Sequence, residues 1–213
     1  MSVKAFEVWA IAPSEAQLVV KNRHYLKRAA SASFCFGLFD QMSLIGVAIY
    51  GKPASPSLCV GICGPDESEK VIELTRLWVE DETPKNTESF FIAQTLSLLP
   101  SEYDIVVSYA EISAGHSGTI YQATNWIYTG LSDRHVEWRL DDAIGKHSRH
   151  LFDEVGGIEK AKEIYGNRLK PHERGRKHRY IMFRGSKTRK KQLLAKLKYE
   201  IQPYPKALNL QNV

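Results

Sequence analysis

Six side chains are best placed to do chemistry in this sequence: Tyr121, Ser108, Glu111, Glu73, Arg76 and His24. Ser108 and Glu111 belong to DIVVSYAE (104–111), a run with buried-strand character. Strand alternation puts Ser108 and Ala110 on one face and Tyr109 and Glu111 on the other. At the C-terminal end of a sheet strand, Ser108 or Glu111 would face a crevice rather than the core. Glu73, Thr75 and Arg76 interrupt the apolar run VIELTRLWV (71–79), and buried polar groups need partners. Glu73 or Glu111 is therefore either a base or half of an ion pair with Arg76 that fixes the strands. Tyr121 stands just before Asn125 and Trp126. A phenol there can protonate a leaving group or hold a carbonyl; the alternative is a core tyrosine with a satisfied hydroxyl. His24, next to Tyr25, His116 and the run Lys146-His147-Ser148-Arg149-His150 lack metal-ligand spacing, so no metal is expected. Cys35, Cys59 and Cys63 fit buried thiols in a reducing compartment.

The elements that must position these groups follow from periodicity. VKAFEVWAI (3–11) alternates as a first strand; Pro13 and a Ser14/Gln17 capping box open a helix. SFCFGLFD (33–40) and LIGVAIYG (44–51) form a hairpin, and the proline-rich stretch 52–69 reads as a loop. The strand 71–79 is followed by a helix from about Thr87 to Leu99, the strand 104–111, a helix from Gly115 to Asn125 and a strand from Ile127. Asn125 is the best substitute for glycine at a left-handed helix end. Residues 133–177 look like an insertion with one helix near 156–165; HRYIMFRG (178–185) returns as a strand to pair with 127–132, and a lysine-rich helix covers 187–199. Strands first, then strand-helix-strand-helix-strand, give an α/β mixed sheet in one domain. The expected domain spans 1–185, with 186–213 a basic C-terminal helix and tail.

The net charge of +5 conceals an asymmetry. Residues 168–191 hold eleven Lys or Arg and one acid, so the remainder is net negative. A basic arm on an acidic body suits a polyanion, and Tyr180 and Phe183 interleave with the charges as in nucleic-acid binders; a merely solvated tail is the alternative. Arg174, Arg176, Lys177 and Arg179, with Lys146 and His147, are the candidate contacts to double-stranded DNA. No apolar run is long enough to span a membrane and no signal pattern opens the chain, so a cytoplasmic protein is expected.

The order of elements across 71–132 resembles the core of GNAT-type acyltransferases, with a splayed sheet flanked by helices. More specific wordings resemble the bacteriophage Mom family of DNA-modification proteins: NRHYLKRA (22–29), IELTRLWVEDETPKNTESFFIAQTL (72–96), SYAEISAGHSGTIYQATNWIYTG (108–130) and GKHSRH (145–150). They span most of residues 20–150, in family order.

The GNAT resemblance implies that Tyr121 is a general acid, that Glu73 is a base acting through water, and that the turn into the helix at 87 holds the diphosphate of coenzyme A. Asn86, Thr87 and Ser89 would then bind the cofactor, with Arg76 and Asn125 nearby. The diagnostic glycines are missing from that turn, and Glu80, Asp81, Glu82 and Glu88 surround it. The Mom resemblance implies conversion of adenine in duplex DNA to the N6-carbamoylmethyl base, which shields DNA from restriction endonucleases. The implied donor is acetyl-CoA or a glycine-derived compound. Protein of this kind, if phage-encoded, would work in the host cytoplasm. A coenzyme A-dependent N-acetyltransferase acting on a small amine or basic protein is the alternative.

Overall fold

A computed structural model describes residues 3–140, 152 and 155–206. Its strands are β1 (Glu7–Ala10), β2 (Phe34–Asp40), β3 (Ser43–Gly51), β4 (Val71–Val79), β5 (Ile105–Glu111), β6 (Ile127–Leu131), β7 (His135–Leu140), β8 (Leu169–Arg174) and β9 (Lys177–Phe183). The helices used below are α1 (Pro13–Arg23), α2 (Pro56–Cys63), α3 (Thr87–Leu98), α4 (Thr119–Ala123), α5 (Ile158–Tyr165) and α6 (Lys187–Lys196). The chain divides into two compact units, Met1–Gly130 with His178–Val213, and Leu131–Lys177.

The first unit is built on a seven-stranded sheet in the order β1-β2-β3-β4-β5-β9-β6. Strands β1 to β4 pair antiparallel, while β4 and β5 are parallel. The expected mixed α/β sheet is observed. Its alternating side chains feed separate cores. Ile72, Leu74, Val106 and Ala110 pack with Phe91 and Ile92 of α3 and with Tyr121. Val71, Ile105, Val107 and Ile181 pack with Ile62 of α2 and Leu193 of α6. The second unit holds the two-stranded sheet β7-β8 and α5.

Several local expectations are corrected. α1 has no side-chain cap; Pro13 starts it, and Gln17 instead brackets Ala30, accepting from its N–H and donating to its carbonyl. Residues 56–63 are helical, because the Ser55 hydroxyl accepts from the Leu58 N–H and Pro56 suits the first turn. The helix expected over 115–125 covers only 119–123, since Gly115 and Gly118 take left-handed backbone angles. At Gly118 a Cβ would meet the Tyr180 ring at 2.4 Å, so that position demands glycine twice over.

Residues 186–206, expected as a separate basic extension, lie in the first unit. Glu67 is buried and binds Arg189, Lys196 and Lys70. Arg189, then Lys196 and Lys70, hold its carboxyl well below the usual range against the cost of burial. Arg189 also bonds Asp104, which ties α6 to the start of β5. Two of the five basic side chains of α6, Arg189 and Lys196, are thereby spent on the fold. The three cysteines are buried, and burial pushes the Cys63 thiol up to about 11. No helix among the described residues is long and apolar enough to cross a membrane.

Candidate active site

A bulge opens the site. In the β3–β4 ladder Tyr50 faces Leu74 and Ile49 faces Arg76, which leaves Thr75 as an extra residue on β4. A bulge bends its strand and increases local twist. β4 and β5 stay paired from Val71 opposite Ile105 to Leu74 opposite Ser108, and the ladder ends there. Past Thr75, β4 follows β3 while β5 continues to Glu111. Between the diverging ends lies a cleft of about 550 Å³, lined by Thr75–Val79, Tyr109–Glu111, Gly115–Tyr121, His24, Tyr25, Asp81 and Glu88.

Tyr121 forms its floor. The short helix α4 ends with Asn125 in the left-handed conformation at φ 59. The Asn125 N–H donates to the Gln122 carbonyl (3.1 Å) and the Trp126 N–H to the Tyr121 carbonyl (3.0 Å). Those paired bonds close the helix as the sequence anticipated. They also fix the Tyr121 ring, tilted against Trp126 and Tyr180, both with centroids at 5.1 Å. Burial raises the Tyr121 pKa to about 12, so the phenol keeps its proton at neutral pH.

Ser108 is buried directly beneath, its Oγ 2.9 Å from the Leu74 carbonyl and 2.8 Å from the Tyr121 hydroxyl. A carbonyl only accepts, and serine has one proton. That proton goes to Leu74, and the phenol donates its own to Ser108. Ser108 thus acts through Tyr121 and does not line the cleft, contrary to the expected crevice-facing position.

One wall is an aromatic stack. His24 and Tyr25 lie with centroids 4.3 Å apart, and Tyr25 meets His116 at 5.2 Å. The Leu26 N–H donates to His24 Nδ1 at 3.1 Å. In the neutral ring the proton therefore sits on Nε2. Burial, then the charges of Arg76 and His116, lower the His24 pKa to about 4, which keeps the ring neutral at physiological pH. His24 is a hydrogen-bond donor there and a weak base.

Arg76 also lines the cleft. It donates from Nη1 to the Thr75 carbonyl (2.6 Å) and from Nη2 to that of Ala29 (3.4 Å), while its buried Nε meets no acceptor among the described residues. Glu111 reaches the cleft from the end of β5 and accepts from the Ser113 hydroxyl at 3.2 Å. Glu73, implied as a base acting through water, faces Val107 in the ladder and does not line the cleft.

The start of α3 does not fit a diphosphate. The Thr87 N–H and hydroxyl both go to the Pro84 carbonyl, and the Ser89 hydroxyl donates to Asn86. Asn86 is left-handed and makes no side-chain cap. None of Asn86, Thr87 and Ser89 lines the cleft; two carboxylates, Asp81 and Glu88, do. A helix N-terminus attracts anions through free N–H groups; here the Thr87 N–H is taken by the Pro84 carbonyl, and the carboxylates of Asp81 and Glu88 stand at the cleft beside it.

The expected DNA contacts fare unevenly. Arg179 is buried, donates from Nε and Nη2 to Thr129, and stacks at 3.5 Å on Tyr199, so it serves the fold. Tyr180 and Phe183, which interleave with the basic residues in sequence, are core residues of β9. Trp126 is likewise fully buried, whereas Tyr25 and Tyr109 line the cleft. Arg174 is exposed on β8, and Arg176 donates to the carbonyls of Ser132 and Leu131. Lys177 follows at the start of β9, its N–H bonded to the Ser132 hydroxyl. Lys146 and His147 lie outside the described residues. Of the acids that the sequence placed around the donor turn, Asp81 and Glu88 line the cleft; sequence reasoning passed over His116 as a cleft residue, and the glycines on both sides of His116-Ser117 were the available signal.

Comparison with known proteins adds three findings. The model of the Mom protein family matches residues 5–206. The protein named methylcarbamoylase mom from Escherichia phage Mu is 28% identical over 196 residues, covering 90% of this chain and 80% of its own. Among solved structures, an N-acetyltransferase from Staphylococcus aureus aligns with a TM-score of 0.45 and 11% identity, over 84% of this chain and 98% of its own. A GNAT family acetyltransferase from Elizabethkingia anophelis with acetyl-CoA bound aligns at 0.46 and 10%, over 84% and 99%.

Proposed function

Because the chain belongs to the Mom protein family, we propose that it is a transferase that converts adenine in duplex DNA to N6-carbamoylmethyladenine, protecting that DNA from restriction endonucleases. The observation that carries this reading is the cleft at the β4–β5 divergence, with a protonated, buried phenol at its floor. The adenine amine lies within the base stack, so the base is flipped out at a cost of ~a few kcal/mol. Tyr25 and Tyr109 offer rings at the cleft for the extruded base.

In this reading Tyr121 protonates the leaving group. As it does, Ser108 can turn its hydrogen from the Leu74 carbonyl to the phenolate, which limits the cost of the buried charge. His24 holds a carbonyl oxygen through Nε2–H without itself titrating. Glu111, the carboxylate at the end of β5, takes the proton lost by the amine.

The acidic wall bears on the donor. Asp81 and Glu88 disfavour coenzyme A and suit an ammonium group. Acetyl transfer would yield N6–CO–CH2–H, whereas the proposed product is N6–CH2–CO–NH2. A glycyl group contains the required atoms: its amide on N6, N6–CO–CH2–NH2, is an isomer of that product, separated from it by a rearrangement. A glycine-derived donor is therefore favoured over acetyl-CoA.

Mass spectrometry of nucleosides from cells expressing the chain tests the reaction. A new adenine species, absent with Tyr121→Phe, is expected. Unmodified DNA together with tight acetyl-CoA binding would favour the N-acetyltransferase alternative. Label from glycine missing from the new base, with acetate label present, would remove the glycine-derived donor.

A further inference from the structure

A basic segment borders the cleft on the side of the aromatic stack. Between Glu15 and Asp40 the chain has four cations, Lys21, Arg23, Lys27 and Arg28, and no acid. All four are exposed, and none forms an ion pair among the described residues. Lys21 and Arg23 close α1, where cations answer the negative end of the helix dipole. Lys27 and Arg28 lie beyond the helix and have no such role. Among these charges stands Tyr25, 49% exposed, its ring in contact with those of His24 and His116 and lining the cleft.

The segment is held in place from both ends. Gln17 brackets Ala30, the Thr75 hydroxyl donates to the Ser31 carbonyl at 3.3 Å, and Arg76 donates to the Ala29 carbonyl. At Gly51 of β3 a Cβ would lie 2.2 Å from the Ser31 carbonyl oxygen, so the strand backs directly onto the loop. On the α1 side the Lys27 N–H closes a turn onto the His24 carbonyl at 2.9 Å, and Lys27 is left-handed at φ 44. A side chain in that conformation costs ~1–2 kcal/mol, and such strain clusters at ligand clamps. Arg28 also acts on Arg76 at the cleft. Burial, then the like charge of Arg28, lower the Arg76 pKa more than Tyr25 and Glu73 raise it. An anion beside the two guanidinium groups would relieve that repulsion.

The mixture of charge and ring narrows the partner. Cations interleaved with an accessible aromatic ring suit a nucleic-acid strand, phosphates on the cations and a base on the ring. An enzyme that extrudes a base must grip the backbone beside it, and duplex DNA offers one charge per ~1.7 Å of axis. We infer that residues 21–28 form the clamp on the DNA strand: Lys27 and Arg28, supported by Arg23, take the phosphates beside the extruded adenosine, and Tyr25 stacks on its base. This deepens the DNA-modifying reading and rests on it. It also moves the strand contact away from β9, whose Arg179 is buried, to the loop after the first helix.

The test is binding of the full chain, across a salt series, to two fluorescent duplexes of twenty-odd base pairs. One carries a mismatched adenine, which is easy to extrude; the other carries an abasic site at the same place. The double variant Lys27→Asn, Arg28→Gln should lose on the order of tenfold on both and flatten the slope of log affinity against log salt by roughly 2. Asparagine tolerates the left-handed angle at position 27, so the fold is retained. Tyr25→Ala should lose roughly five- to a hundredfold on the mismatched duplex and little on the abasic one, whereas Tyr25→Phe keeps the ring and the affinity. Wild-type affinity and slope in the double variant would overturn the clamp, as would equal losses on both duplexes in Tyr25→Ala. Competition by polyglutamate as strong as by DNA would reduce the segment to a general polyanion surface and overturn it too. If the double variant binds like the wild type and still modifies adenine in cells, only the clamp is wrong. If the unaltered chain neither binds duplex DNA nor modifies it, the DNA-modifying reading fails as well.

Discussion

Two strand-to-helix junctions flank the cleft, and they are built on opposite terms. The junction from β4 into α3 is acidic, spends its hydroxyls on its own carbonyls, and turns through a left-handed asparagine. The junction from β5 into α4 turns through two left-handed glycines, and its Tyr121 hydroxyl meets Ser108 at the cleft floor. In the first the hydroxyls bond within the turn; in the second the phenol pairs with a serine of the neighbouring strand. Topology therefore supplies two places where a ligand can meet a helix start, and side-chain chemistry decides which remains usable.

The sharpest way to break the contrast is Tyr121→Phe. General acids contribute about 10²- to 10⁴-fold, so adenine modification should fall by at least a hundredfold. Stability should fall by only about 1 to 2 kcal/mol through the lost partner of Ser108. Retained activity with normal melting would reduce Tyr121 to a core residue.

Acid should expose the cost of keeping His24 neutral. Its folded pKa of about 4 lies below the unfolded value of 6.5. The unfolded chain takes up the proton first, so the contribution is intact above pH 6.5 and is lost as pH falls toward 4. The loss amounts to about 3 kcal/mol. Urea melts at the two pH values, compared with His24→Gln, should show a smaller acid loss in the variant.

A milder change sharpens the account of the first junction. Asp81→Asn with Glu88→Gln should improve coenzyme A binding by about 2 kcal/mol, roughly thirtyfold, as seen by calorimetry. No gain would mean that the carboxylates do not set donor choice. The smallest effect is expected at the far end of α4. Asn125→Ala should cost about 1 kcal/mol, while Asn125→Gly should stay within a few tenths, since only the left-handed angle is at stake. Chemical denaturation of both resolves the difference.

The parts of this molecule legible from sequence were those set by local rules. Strand-helix alternation from 71 to 131 gave the sheet its middle, and Asn125 marked a helix end through backbone chemistry alone. The misread parts depend on where a segment finally pairs. Residues 178–185 pair beside 127–131 as their strand pattern implied, but charge counting had also put Arg179, Tyr180 and Phe183 in a basic arm, and insertion of β9 between β5 and β6 buries all three. The β7–β8 ribbon was hidden because one side is charged and its cross-strand partners lie 29 to 39 residues apart. Ser108 was recognised as polar and close to the chemistry, but its depth followed from the bulge at Thr75, which no composition signal announces. For α2, a serine cap and a following proline were visible, but they were outweighed by neighbouring glycines and prolines.

The way the second unit joins the chain has an engineering consequence. It departs after β6 and returns into β9, adjacent strands of the main sheet. At that neck the Ser132 N–H donates to the Lys177 carbonyl at 2.7 Å, and Arg176 Nε holds the Ser132 carbonyl at 2.6 Å. Exit and return are thus clasped within one hydrogen bond of each other, like a plug on two adjacent pins. The forty-odd residues beyond form a cassette that a tight turn could replace, or that a foreign module could take over, while the sheet keeps its register.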